Sequence, residues 1–438
     1  MSLALLPVGA RAQQLQPPVA PEDVRADEMP LTVPVTLNGQ AGSMAFRAET
    51  PTESFLKGGI AFVGSYTDNA LLTNSDKLDN FSYEVLPHIT WLEITPRVSL
   101  NLGLNGGMIF NNNLSAQNQA AESVSLESAW RVTEHVTFTL TDAFSNTTGM
   151  FSLTGSQSEG TAVGAVEQSN NSLLVPPAQR TISNQSQAEL RQQVGRNSVI
   201  GVRATLSLLD FPRSSKTAQF GTLYDSRAYS AEAFYNWKFA SQQWFGLTAR
   251  GQRFETLPSI ATTDVGSLIM YYSAEPISSI MLTFFAGPEY SNTALRAGGA
   301  GLNGQGRFWG SSEGATLNWK ASSSSASVSF VRQLNDGGGL ASAANLQSVS
   351  ANMRQQLSRH QNEIEFGFTT SKSDPLLVRE SINGLSVFVL FQQRLMRSYV
   401  MQAGYSWQRQ DLPLTRTPAD ANRTWFSVAY DFSRPLGK

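Results

Sequence analysis

Only a few residue types in this chain could do chemistry, and their spacing limits what that chemistry is. The stretch GAGLNG (299–304) has the form G-x-G-x-x-G. A dinucleotide site needs that motif after a strand and opening a helix, so that a helix N-terminus meets the pyrophosphate. Here QGRFW follows, which reads as a strand, so the glycines are those of a loop. The three histidines, His88, His135 and His360, lie far apart and none has a metal-ligand spacing. With no cysteine there are neither thiolate ligands nor disulfides. No set of Ser, His and Asp can be assembled into a nucleophilic triad. The expectation is therefore no catalytic residue, no metal site, no cofactor and no enzyme.

What remains is a set of charges that fall on the polar phase of an apolar–polar alternation, among Ser, Thr, Asn and Gln. These are Glu127, Arg131, Glu189, Arg191, Arg203, Glu232, Lys238, Arg250, Lys320, Arg354, Glu363 and Glu365. Both signs are present and interspersed, which suits either cross-strand pairing along a wall or the lining of a hydrophilic pore. A second group lies in SNTTGMFSLTGSQSEGTAVGAVEQSNNSLLVPPAQRT (145–181), the longest polar connection, which offers Glu159, Glu167 and Arg180 as charges, with Phe151 and Leu173–Val175 as anchors.

The elements that must position these groups are strands. HVTFTLT (135–141) sets Val136, Phe138 and Leu140 against His135, Thr137 and Thr139, and NEIEFGF (362–368) sets Ile364, Phe366 and Phe368 against Glu363, Glu365 and Gly367. A period of two puts alternate side chains on opposite faces of a sheet. The last such segment, TWFSVAYDF, carries Phe426, Val428, Tyr430 and Phe432 on one face and Ser427, Ala429, Asp431 and Ser433 on the other. Connections alternate between tight turns, such as TPR (95–97) and VGRNSV (194–199), and looser segments, such as 67–78, 209–223, 255–261 and 334–341. Nine long loops separated by eight short turns give about eighteen strands, with both termini on the short-turn side.

Composition agrees. Charged residues are 15% of the chain, against roughly 25% in soluble proteins. The net charge of −2 argues against nucleic acid as a partner. No apolar run reaches the ~20 residues of a membrane-spanning helix, whereas segments of strand length suffice for a barrel. Trp91, Trp130, Trp237, Trp244 and Trp319 fall beside short turns and Trp309, Trp407 and Trp425 near long loops, as two interfacial aromatic girdles require.

On these strands and on the closing segment TWFSVAYDF, about residues 56–435 resemble the Gram-negative outer-membrane β-barrel proteins, either porins or polysaccharide-export barrels, and 55–438 are expected to form the barrel. The resemblance implies an all-β, antiparallel, up-and-down transmembrane barrel in the bacterial outer membrane, with periplasmic termini. It implies lipid and lipopolysaccharide around the wall and the barrel-assembly machinery as a partner. Phe426, Val428, Tyr430 and Phe432 are then lipid-facing, and the twelve charges above are pore-lining. Residues 145–181, the third long loop, are similar in place and length to the loop that narrows porins, so Glu159, Glu167 and Arg180 are expected at a constriction. One departure is the tail SRPLGK after Phe432. Upstream, residues 1–12 (LALLPVGARA among them) read as the remnant of a secretory signal peptide, and 13–54 as a proline-rich periplasmic arm. The function expected is passive passage of polar solutes or glycans. The alternatives are exopolysaccharide export, with the arm docking a periplasmic partner, and a structural or adhesive surface barrel.

Overall fold

The computed structural model describes residues 53–436, apart from 75, 116–117, 149–179, 213–222, 258–260, 296–304, 339–341, 358–361, 377–380, 397 and 412–417. The signal remnant, the arm up to residue 52, the GAGLNG stretch, His360, Glu159 and Glu167 lie outside the described residues.

Eighteen strands follow one another along the chain. The first six are β1 (Glu53–Thr67), β2 (Asn80–Ile94), β3 (Val98–Asn111), β4 (Gln119–Arg131), β5 (Val136–Thr148) and β6 (Arg180–Gln193). Then come β7 (Ser198–Asp210), β8 (Asp225–Ala240), β9 (Gln243–Leu257), β10 (Ala261–Ile277), β11 (Ile280–Leu295) and β12 (Gln305–Lys320). The last six are β13 (Ser324–Asn335), β14 (Ala344–Gln356), β15 (Asn362–Pro375), β16 (Ile382–Met396), β17 (Tyr399–Asp411) and β18 (Pro418–Pro435). Each pairs antiparallel with its neighbours in sequence, and β1 pairs with β18 from Phe55↔Pro435 to Thr67↔Arg423. The sheet is thus closed, which removes the unpaired edges that a bilayer does not tolerate. The described residues hold no helix long and apolar enough to cross a membrane; the chain crosses by strands.

The alternation read from the sequence decides which face is which. Outward positions carry the large apolar side chains: Phe62 of β1, Leu104 and Met108 of β3, Val202 of β7, Met270 of β10, Phe284 of β11 and Phe366 of β15 are all exposed. Direct cross-strand partners share a face, so the register carries the assignment around the wall. Phe62 pairs with Val428 and with Val85, for example, and Phe138 pairs with Leu190. The three register shifts, at Lys238/Ala240, Ala274/Ile277 and Arg394/Met396, all sit at short-turn ends and leave the spanning portions in phase.

Details differ from the sequence reading. The connection from β9 to β10 is tight, since Leu257 and Ala261 are separated only by residues 258–260, where a longer polar loop was expected. Two tryptophans assigned to the girdles face inward and are buried: Trp244 pairs with Ser273 on the inner face, and Trp425 with Ser65. For Trp425 the reason is glycine. The Trp425 ring lies over Gly404 of the neighbouring strand, where an added Cβ would fall 2.1 Å from the indole. Tyr271 covers Gly246 and Phe388 covers Gly367 in the same way. Each ring lies flat on the wall because its cross-strand neighbour has no side chain.

Candidate lumen site

The inner wall is built by strands whose inward positions are polar. Glu189 and Arg191 are two residues apart on β6 and so point to one side. The register then sets Glu189 beside Arg203 on β7, Arg203 beside Glu232 on β8, and Glu232 beside Arg250 on β9. The row continues to Ser267 on β10 and Glu289 on β11. Alternating signs on directly paired positions make each charge the partner of the next. Arg203 reaches Glu189 Oε2 with Nη2 at 2.6 Å and Nε at 2.8 Å, and Glu232 Oε2 with Nη1 at 3.2 Å. Arg250 Nε lies 2.7 Å from Glu232 Oε1, and Arg191 is ion-paired to Glu189. The guanidinium of Arg203 also stands 5.7 Å from the Phe234 ring, a cation–π arrangement. The side chains of Arg203, Glu189, Glu232 and Arg250 are no more than 5% exposed. Charges so placed must be paired to persist, and Glu189, Arg191, Arg203, Glu232 and Arg250 are ion-paired.

A second polar group lies across the seam where the barrel closes. Arg423 of β18 approaches Ser65 Oγ of β1 at 3.4 Å and Glu84 Oε1 of β2 at 3.6 Å. Ser65 and Ser82 hydroxyls are 2.8 Å apart. Around this pair the inner face turns apolar, with Val63, Leu86, Ile109, Leu390 and Trp425 in one buried cluster.

All twelve charges expected to line the lumen fall on inward positions of the alternation. Five of them, Glu189, Arg191, Arg203, Glu232 and Arg250, come together in the ladder. Arg354, Glu363 and Glu365 form a second group at the short-turn end, where Arg354 pairs with Glu363 and Asn352 donates to Glu365 at 2.8 Å. Lys238 sits 5.6 Å from the Trp244 ring. Glu127, Arg131 and Lys320 occupy inward positions elsewhere on the wall. Sequence reasoning passed over Glu84, Glu289 and Arg423, although each keeps the polar phase of its strand. Their alternation was a sufficient signal; their neighbours were not, since those depend on closure.

Phe426, Tyr430 and Phe432 face outward and exposed, with Val428 between them half-buried. Arg180 is a correction. It opens β6 instead of hanging in a loop, and its phase, shared with Leu190, puts it on the outward wall. Its Nε donates to Asn146 Oδ1 at 2.9 Å. A residue within the ladder of a strand cannot also reach the middle of the lumen.

Among the described residues, two connections turn inward. Leu334 and Ala343, either side of the β13–β14 connection, pack on Phe254 and Val265 of the β9–β10 inner wall. Ser226 of β8 donates to Asp336 Oδ2 at 2.7 Å. The connection thus crosses toward the inner wall of β8–β10. It can do so because β13 leaves β12 early: their pairing ends at Glu313↔Arg332, and the rest of β12 pairs only with β11. Gly337 and Gly338 have φ of 82° and 58°, a left-handed pair that only glycine adopts without strain. The β1–β2 loop also folds over the mouth. There Leu72 packs on Ala419 and Ala421, Asn69 Nδ2 donates to the Asp420 carbonyl at 2.8 Å, and Asp68 accepts from Asn422.

Among solved structures, OccAB4 of Acinetobacter baumannii is similar at a TM-score of 0.45 and 8% identity, over 87% of this chain and 99% of that one. OccAB1 of the same organism gives 0.44 and 11%, over 86% and 96%. OpdK of Pseudomonas aeruginosa, an outer membrane protein, gives 0.43 and 9%, over 86% and 99%. The likeness is one of fold. No protein-family model matches the chain, and no curated protein does.

Proposed function

We propose that the protein is an outer-membrane pore for passive passage of polar solutes, with its short turns and both termini on the periplasmic side. One observation carries the reading: a closed eighteen-strand barrel whose outward face is apolar and whose inward face bears a continuous ladder of paired charges. A barrel of this strand number encloses a lumen wide enough for water and solutes. The ladder offers hydrogen-bonding groups with most of its charge neutralised internally, so neutral hydrogen-bonding solutes such as sugars suit it better than multiply charged ones. The inward β13–β14 connection sets the mouth through which they pass.

Planar-bilayer recording of the refolded full chain is the test. Discrete conductance steps that sugars reduce in a concentration-dependent way are expected. Folded protein that inserts and gives no steps would overturn the reading.

A further inference from the structure

One place on the outward wall, within its apolar band, does not suit lipid. On β5 the outward positions run Phe138, Leu140, Asp142, Phe144, and on β6 they run Leu190, Ala188, Ser186, Asn184, Ile182. Asp142 pairs in register with Ser186 on one side and with Leu126 of β4 on the other. Leu206 and Leu208 of β7 stand beyond Ser186 and Asn184. Apolar residues therefore surround Asp142, Asn184 and Ser186 above, below and on both flanks. The cluster lies two outward positions from the stacked Trp130–Phe138 pair, whose centroids are 5.4 Å apart at the short-turn end. It sits inside the apolar band, not at its rim.

The cluster is also under-supplied. A carboxylate can accept about four hydrogen bonds. Among the described residues Asp142 receives one close bond from Ser186 Oγ and two contacts from Asn184 Nδ2 at 3.4 and 3.5 Å, the outer limit of hydrogen bonding. The outward Glu313, by contrast, has its own cation in Arg332 at 3.3 Å. An ionisable residue facing hydrocarbon without a cation marks a contact with something other than lipid.

We infer that the β5–β6 face is an interface with a second copy of this chain, related by a two-fold axis along the membrane normal. That axis, placed beside the β5–β6 seam, sets β5 of one copy against β6 of the other. The acceptor Asp142 then meets the Asn184 amide of the partner subunit, a two-proton donor that reaches its own Asp142 only at 3.4 and 3.5 Å, and the converse contact forms by symmetry. Side-chain size is complementary in the same sense. Beyond the cluster on the β6 side the outward residues shrink to Ala188, Ala204, Ala231 and Ala233, flooring a concavity of about 750 Å³. On the β5 side they are large, with Leu126, Leu102 and Trp130. The two-fold brings the large side of one copy over the hollow side of the other. Small residues let membrane elements approach closely, and polar ones hold them together.

The chain has no cysteine, so a single introduced thiol reports one contact. In lipid nanodiscs, the expected mass of the full chain is that of a dimer. Ser186→Cys is expected to be joined by a short bismaleimide, and Met353→Cys, outward on the far wall and 43% exposed, is not. The triple variant Asp142→Leu, Asn184→Leu, Ser186→Leu is expected to stay heat-modifiable on gels, hence folded, while its dimer dissociation constant rises at least about tenfold. Monomers at every protein-to-lipid ratio, or cross-linking at Met353→Cys as efficient as at Ser186→Cys, would overturn the inference. Neither result depends on whether the barrel conducts, so the pore reading stands or falls separately.

Discussion

The ladder gives a quantitative test at Arg203. Its guanidinium serves Glu189 through two bonds at 2.6 and 2.8 Å and Glu232 through one at 3.2 Å, with its side chain 5% exposed. Arg203→Met keeps the length and packing over Phe234 and removes the charge. Breaking a buried pair costs about 3–5 kcal/mol, because the acid left behind is neither hydrated nor paired. Here each acid keeps one cation, Glu189 with Arg191 and Glu232 with Arg250, so the lower end, about 3 kcal/mol, is expected. Urea unfolding from detergent micelles, followed by the eight tryptophans, measures it. Adding Glu189→Gln and Glu232→Gln to Arg203→Met takes these acids from Arg191 and Arg250 as well and is expected to cost more than the single variant. A single variant within about 0.5 kcal/mol of the parent would refute the reasoning, since it would make the ladder a solvated surface.

Val428→Arg on the outward face is expected to destabilise the barrel by about 2–4 kcal/mol, and Ala429→Arg, inward on the same strand, by much less; equal midpoints in urea would reverse the phase of β18. Gly246→Val places a Cβ where the Tyr271 ring now lies, 2.0 Å away, whereas Gly106 has nothing within 4 Å. Gly246→Val is thus expected to cost about 1–3 kcal/mol by overpacking, with Gly106→Ala as the near-neutral control in the same titration. Asp336→Ala removes the acceptor that Ser226 uses to hold the β13–β14 connection and is expected to raise single-channel conductance. The same recording on a chain lacking residues 150–176 measures the β5–β6 connection, and unchanged conductance there would exclude it as the constriction.

Strand identity was legible because the alternation is a one-dimensional property. Phe426 through Phe432 can be assigned to one face without knowing what lies beside them. The strand count was legible from the rhythm of turns. Contacts were not, since they depend on register. That Arg203 stands between Glu189 and Glu232 follows from pairings 14 and 29 residues apart in sequence, and nothing local encodes those offsets. Trp425 read as an interfacial tryptophan because position along the strand was visible and Gly404, which receives its ring, was not. Arg180 was placed in a loop because the polar composition around it hid the start of β6. Asp142 was passed over for the opposite reason: a lone acid in TLTDAF looks like any other strand polar residue until its neighbours prove to be Leu126 and Phe144.

The seam has a temporal meaning. Glu84 enters the sheet near the beginning of the chain, and Arg423, its cation, arrives with the final strand, 339 residues later by their numbers. Until β18 docks on β1, Glu84 has β1 and β3 to pair with but lacks the charge that balances it. The wall therefore carries an unmet electrostatic demand that every earlier hairpin leaves unanswered. Among the described residues, closure is what brings a cation to Glu84, at 3.6 Å, so a barrel stalled one strand short differs from the finished one by more than a missing ladder. It holds an orphaned acid on its inner face, and the arrival of the last strand is rewarded in charge as well as in backbone hydrogen bonds.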